Sequence, residues 1–171
     1  KIFLDLKLHD IPNTVQNGIL AINKLRPLLT TVHISGGDEM MQATLVKNKY
    51  TKILGVSLLT SFDNKQTNKF YNEKKVELLV KKFARIAKHN NLDGLVCSPQ
   101  EIKMVRKILG KNFLIVTPGI RPKNYIQDDQ KRTMTPKDAI TLGANLIVIG
   151  RPITKSKNPL GTIKEINNQL N

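Results

Sequence analysis

Lys1-Ile2-Phe3-Leu4-Asp5-Leu6-Lys7-Leu8-His9-Asp10-Ile11-Pro12-Asn13-Thr14 opens the chain, and its reading decides the fold. The stretch has the apolar character of a short buried strand, yet it carries Asp5, Lys7 and Asp10. Residues two apart on a strand share a face, so Asp5 and Lys7 are expected side by side, with Phe3 next to them. Asp10 falls where the strand should stop, because Pro12 cannot continue a central ladder. Burying charge is costly unless the charges are paired, so an Asp-x-Lys-x-x-Asp array on an apolar strand marks either a structural ion pair or a polar site.

Outward from this stretch, strand and helix patterns alternate to the end of the chain with no linker or low-complexity segment. Strands are expected at residues 2–6, 31–34, 53–58, 94–97, 113–116 and 146–149, and helices at 14–25, 38–47, 73–89, 100–109, 136–142 and 160–170. Pro99 and Pro136 suit first-turn helix positions behind caps at Ser98 and Thr135, and Gly110 and Gly143 suit helix ends. Six β-α units in a row imply a parallel sheet with right-handed crossovers. No Gly-x-Gly-x-x-Gly opens a helix, which weighs against an open dinucleotide-binding sheet. Polar or glycine-rich residues follow nearly every strand: Asp10, Ser35-Gly36-Gly37, Thr60-Ser61, Ser98, Thr117-Pro118-Gly119 and Gly150-Arg151. Barrel enzymes gather their chemistry at such strand ends, so the expected class is α/β, a (β/α)8 TIM barrel of which residues 1–171 supply six units as a single domain.

Three later segments carry candidate site residues. Val116-Thr117-Pro118-Gly119-Ile120-Arg121-Pro122 holds Arg121 between two prolines, which would fix its donors toward a phosphate or carboxylate. The long loop through Asp128-Asp129-Gln130-Lys131-Arg132 has the length of a functional lid, although the two aspartates lack a third ligand at metal-binding spacing. Ile147-Val148-Ile149-Gly150-Arg151-Pro152-Ile153-Thr154 ends the last strand where barrels commonly hold phosphate. Thr60, in Leu58-Leu59-Thr60-Ser61, offers a hydroxyl that can donate and accept.

Asp5-Leu6-Lys7-Leu8-His9-Asp10-Ile11-Pro12-Asn13-Thr14 closely resembles the signature of the orotidine 5′-phosphate decarboxylase family. The Arg121, Gln130 and Arg151 segments resemble that family's later motifs, in the same order. The resemblance implies decarboxylation of orotidine 5′-phosphate to UMP and CO2, with no metal and no cofactor. It makes Lys7 the proton donor to the ring carbanion, Asp5 its holder beside the substrate carboxylate, and Asp10 a residue completing the site of a second copy in a homodimer. It further implies substrate contacts along residues 5–14 and at Thr60, Arg121, Gln130, Gly150 and Arg151. By this resemblance the first strand here is the family's third, and two β-α units, roughly 60 residues of a typical ~250-residue barrel, lie outside the 171. Those units carry a further Lys of the charge array and an Asp for the ribose, which puts the activity of these residues alone in doubt. Two alternatives stay open. One is a Mg²⁺-dependent sugar-phosphate lyase of the same superfamily, such as a hexulose-phosphate synthase or keto-gulonate-phosphate decarboxylase. The other is an inactive truncated copy that at most binds nucleotide.

Composition narrows the partners. The excess of 28 Lys and Arg over 13 Asp and Glu gives a net charge of +15, but the lysines are scattered along the chain. With five Phe and three Tyr there is no basic-aromatic interleaving of the kind that binds single strands, so nucleic acid is not expected as a partner. No apolar run of membrane-spanning length and no signal-peptide pattern is visible, and a cytoplasmic protein is expected. The lone cysteine, Cys97, reads as a small buried hydrophobe. The three histidines lack ligand spacing, and His33 reads as a hydrogen-bonded barrel residue.

Overall fold

Apolar runs of four to six residues, each closed by a turn signal, become strands, and the amphipathic stretches between them become the crossovers. The computed structural model describes residues 1–46, 50–122 and 133–170. Its strands are β1 (Phe3–Leu8), β2 (Leu29–His33), β3 (Lys52–Val56), β4 (Gly94–Val96), β5 (Leu114–Thr117) and β6 (Leu146–Ile147). They form one sheet in chain order, each neighbouring pair parallel. A doubly wound sheet reverses its strand order at a switch point; this one does not, so the order is that of a barrel wall.

The helices are α1 (Pro12–Leu25), α2 (Asp38–Gln42), α3 (Asn64–Tyr71), α4 (Val76–His89), α5 (Ile102–Leu109), α6 (Pro136–Thr141), α7 (Arg151–Thr154) and α8 (Pro159–Leu170). One continuous core joins Val15, Ile19 and Ile22 of α1, Leu79, Val80 and Phe83 of α4, and Ile102 and Val105 of α5 to Val32, Ile53 and Ile115 of the sheet. Each fully buried aliphatic side chain there contributes about 1.5–3 kcal/mol relative to exposure. A second cluster, Leu29, Leu54 and Val116 with Phe3, Val96 and Leu114, contains no helical residue. Ile53 and Leu54 are adjacent in β3 yet belong to different clusters, so the two clusters lie on opposite faces of the sheet. Helices therefore cover one face only, and the other is the inner face of a barrel wall.

Most expected elements are present with shifted ends. Strand β1 runs two residues past Leu6, while β3 stops at Val56 and β6 at Ile147. Pro12 starts α1 from its first position, four residues past the end of β1 at Leu8. Pro99 leads α5 through a short 3-10 turn in which the Glu101 carboxylate accepts the Ser98 N–H at 2.9 Å. Helix α2 ends at Gln42, and its expected last residue, Lys47, lies outside the described residues. Helix α3 was not expected. Its sequence, Asn-Lys-Gln-Thr-Asn-Lys-Phe-Tyr, has one buried residue, Thr67, and so lacks an apolar stripe. The Asp63 side chain starts it by accepting the Gln66 N–H at 2.9 Å, and Asn72 ends it in the left-handed region. Cys97 is buried in the helix-side core, as its sequence context implies.

Candidate active site

The inner face at the carboxyl end of β1 and β2 holds the best-defined polar group. Lys7 Nζ donates to Asp5 Oδ2 at 2.5 Å. Thr31 of β2 joins them: its hydroxyl donates to Asp5 Oδ1 at 2.7 Å and accepts the Lys7 backbone N–H at 2.8 Å. Leu29, Thr31 and His33 alternate onto the inner face, whereas Leu4 and Leu8 pack against the helix-side core. Leu8, expected among the substrate contacts, therefore commits its side chain to the core.

Asp5 and Lys7 meet as the spacing implies, but not on a regular strand. Pairing runs Leu4 to Thr30 and then jumps to Leu8 with Val32, leaving three β1 residues opposite Thr31. Lys7 takes up the surplus at φ 52°, in the left-handed region. For a non-glycine residue that region costs about 1–2 kcal/mol. The ion pair does not repay it through stability. Its side chains are 40% and 42% exposed, and such pairs contribute about 0–1 kcal/mol. Backbone strain of this kind clusters at functional sites, and here it is held by the Thr31 hydroxyl.

Asp10 lies two residues past β1, where the sequence puts it, and its Oδ1 accepts the Ile11 N–H at 2.7 Å. Asn13 and Thr14 are exposed on the first turn of α1, which Pro12 opens and Ile11 precedes. Leu6 is also exposed. The His9 ring sits 5.3 Å from that of His33, tilted by 38°. Burial, then His9 and Lys7, hold the His33 imidazole below its ordinary pKa, against the opposing pull of Asp5. The hydrogen-bonded histidine expected at position 33 thus has a second imidazole as its neighbour; the described residues supply no hydrogen-bond partner to its ring.

The remaining candidates stand at other strand ends. Gly150 follows β6 with an open approach, since a Cβ built there would meet nothing within 4 Å. Arg151 begins α7 half-buried beside it. Arg121 is buried, with Nη1 donating to the Ile120 carbonyl at 3.0 Å and its backbone N–H to the Met134 carbonyl at 2.9 Å. The side chain is therefore held inside the protein, with Nη1 on the carbonyl of the preceding residue. Thr60 lines a cavity of about 950 Å³ together with Lys81, Arg85, Lys103 and Lys107. None of Asp5, Lys7, Arg121 and Arg151 lines it. Gln130, with Asp128 and Asp129, lies outside the described residues. Among the described residues no group of three His, Cys, Asp or Glu side chains is disposed to hold a metal ion. No described helix is long and apolar enough to cross a membrane. Thr31 escaped the sequence reading; the available signal was a hydroxyl in an apolar strand, on the face that Asp5 and Lys7 share.

Residues 1–166 match the model of the Orotidine 5′-phosphate decarboxylase / HUMPS family. The chain belongs to this family. It is 48% identical over 170 residues to the orotidine 5′-phosphate decarboxylase of Staphylococcus saprophyticus, covering 96% of this chain and 74% of that one. The corresponding protein of Wigglesworthia glossinidia brevipalpis is 47% identical over 175 residues, covering 100% and 75%. In structure, the chain is similar to the crystal structure of orotidine 5′-phosphate decarboxylase from Lactobacillus acidophilus, with a TM-score of 0.83 at 38% identity, covering 100% of this chain and 75% of that one. Family membership at this level makes the chain a carboxy-lyase of the orotidine 5′-phosphate decarboxylase type and its fold that of the family's barrel, and it spans about three-quarters of these relatives' length.

Proposed function

We propose that the protein converts orotidine 5′-phosphate to UMP and CO2 using Lys7 as the proton donor. The observation that carries this is the Lys7–Asp5 ion pair, held at 2.5 Å on the inner face at the end of β1. Heterolysis of the bond between the ring and its carboxylate leaves the electron pair on the ring carbon as CO2 departs. An ammonium aimed at that carbon stabilises the developing charge and then transfers a proton to it, and the lysine regains its proton from water. Charge fixed in place before the reaction lowers the barrier most at such a site, because it need not reorganise as the carbanion forms. Asp5 holds the ammonium and faces the substrate carboxylate. Two anions ~4 Å apart repel by about 4 kcal/mol at an effective dielectric near 20, and loss of CO2 removes that repulsion.

The phosphate end is assigned to Gly150 and Arg151, with Gln130, and further substrate contacts to residues 5–14 other than the core-facing side chain of Leu8, with Thr60 and Arg121. Phosphate contacts far from the reacting bond supply binding energy that orders the site. Asp10 is assigned to the site of a second copy in a homodimer. Replacing Lys7 with Ala in the native protein is expected to abolish decarboxylation while UMP still binds. Near-normal turnover by Lys7→Ala would overturn the assignment, and Mg²⁺-dependent turnover of a sugar phosphate without UMP binding would move the protein to the lyase branch.

A further inference from the structure

We infer that Thr31 is a positioning residue for the reaction, holding both Asp5 and the backbone of Lys7 in the geometry that presents the ammonium. The inference rests on the roles proposed for Asp5 and Lys7. Three contacts close a ring: Thr31 Oγ1 to Asp5 Oδ1 at 2.7 Å, Asp5 Oδ2 to Lys7 Nζ at 2.5 Å, and the Lys7 N–H to Thr31 Oγ1 at 2.8 Å.

The direction of each bond is fixed by chemistry. A backbone N–H can only donate, so the threonine oxygen accepts from Lys7 and must direct its single proton elsewhere. An ionised carboxylate can only accept, and Asp5 receives that proton. The hydroxyl therefore has one orientation that satisfies both neighbours. Thr31 itself is fully buried, so its hydroxyl has no solvent partner of its own, whereas the Asp5 carboxylate it holds remains partly exposed. The neighbouring Thr30 donates to the Leu4 carbonyl at 2.7 Å and fixes the last regular pair before the irregularity.

The ring answers a need that the backbone creates. Where β1 carries three residues opposite one, the Lys7 N–H has lost its place in the ladder, and φ at Lys7 is 52°. The Thr31 side chain is the acceptor for that N–H. Removing the hydroxyl frees the root of Lys7 and one oxygen of Asp5 together. The lysine can then relax toward an extended conformation, which redirects its side chain, and the carboxylate can turn away from the ammonium. Groups at the exit of β6 remain in place, so nucleotide binding should outlast catalysis.

The experiment compares Thr31→Val, Thr31→Ser and Lys7→Ala in the native protein, reading kcat, KM and UMP affinity. Since misplacement by about 1 Å costs roughly 100-fold, Thr31→Val is expected to lower kcat by about 10- to 100-fold, with KM and UMP affinity nearly unchanged. Thr31→Ser, which keeps the hydroxyl, is expected to recover most of the loss. If Thr31→Val does not fold, Thr31→Cys takes its place, because the thiol keeps the volume and bonds weakly. Wild-type kcat in the hydroxyl-free variant, with Lys7→Ala inactive, would overturn the role of Thr31 and leave that of Lys7 standing. Loss of kcat and UMP affinity in parallel, without rescue by serine, would make Thr31 a folding residue only and also overturn the inference. Full activity in Lys7→Ala would instead remove the reading on which it rests.

Discussion

His33 sits on the inner face of β2 with the His9 ring 5.3 Å away and Lys7 close enough to oppose its protonation. Its pKa in the folded protein lies below the ordinary value of 6.5, with burial as the largest cause. Between the two values the unfolded chain binds the proton and the folded one does not, so stability rises with pH there. The contribution is complete above about pH 6.5 and is lost as pH falls toward the folded value. Urea midpoints of the native protein should accordingly fall on acidification from about pH 7.5 to 5.5, and His33→Gln should flatten that slope. An unchanged slope in the variant would place the titration elsewhere. The same residues show what a sequence discloses at this scale. The two-residue spacing of Asp5 and Lys7 revealed that they meet. It could not reveal that Lys7 does so from the left-handed region, because that depends on a pairing jump set by β2. The neighbouring imidazole of His33 was hidden for the same reason: His9 and His33 are 24 residues apart and join only when β1 pairs with β2.

Helix α5 shows how one side chain ties successive units of the wall together. Arg106 Nη2 donates to the Gly143 carbonyl and to Asn145 Oδ1, both at 2.6 Å, while Nη1 donates to the carbonyls of Gly110 at 2.6 Å and Phe113 at 2.8 Å. Asn145 Oδ1 also accepts the Ile115 N–H at 2.8 Å, so the guanidinium braces α5, β5 and the turn before β6 at once. Burial lowers the Arg106 pKa from its ordinary value, yet an arginine remains charged at any working pH. Since several of these bonds are partly exposed, Arg106→Ala is expected to cost about 2 kcal/mol, close to one well-made charge-assisted hydrogen bond. For a chain of this size that is a fall of roughly 4–8 °C in Tm. A shift below a degree would show that water replaces the guanidinium without loss. Elements with an apolar stripe, such as α1, α4 and α5, were legible from spacing. Helix α3 was not, because it depends on the Asp63 cap and packs little of its surface. The role of Arg106 was equally hidden, since an arginine in a basic helix reads as a solvated face until the turn at Gly143 is brought beneath it.

At the scale of the whole molecule, the alternation of strand and helix along the sequence disclosed a parallel sheet, and the polar strand ends with the missing Gly-x-Gly-x-x-Gly turned that reading toward a barrel wall. The inner face could not be assigned from it, because buried strands of both faces read as continuous apolar runs. The same scale poses the question of the +15 charge. If it served nucleic acid, binding would be shared among many lysines, would fall steeply with salt, and would hardly notice one arginine. Family membership and the position of Arg151 beside the open backbone of Gly150 favour a local use instead: one cation matched to one phosphate. Loss of a charge-assisted bond worth ~1.5–3 kcal/mol corresponds to roughly 10- to 150-fold weaker binding. The native protein and Arg151→Ala should therefore differ by that factor in UMP affinity, and not at all in affinity for uridine, which has no phosphate. The variant still carries 27 of the 28 basic residues, so its bulk field is nearly that of the parent. Equal UMP affinity would remove Arg151 from the site and return the charge to a diffuse role, whereas a loss confined to the phosphorylated ligand would locate the phosphate at the exit of β6.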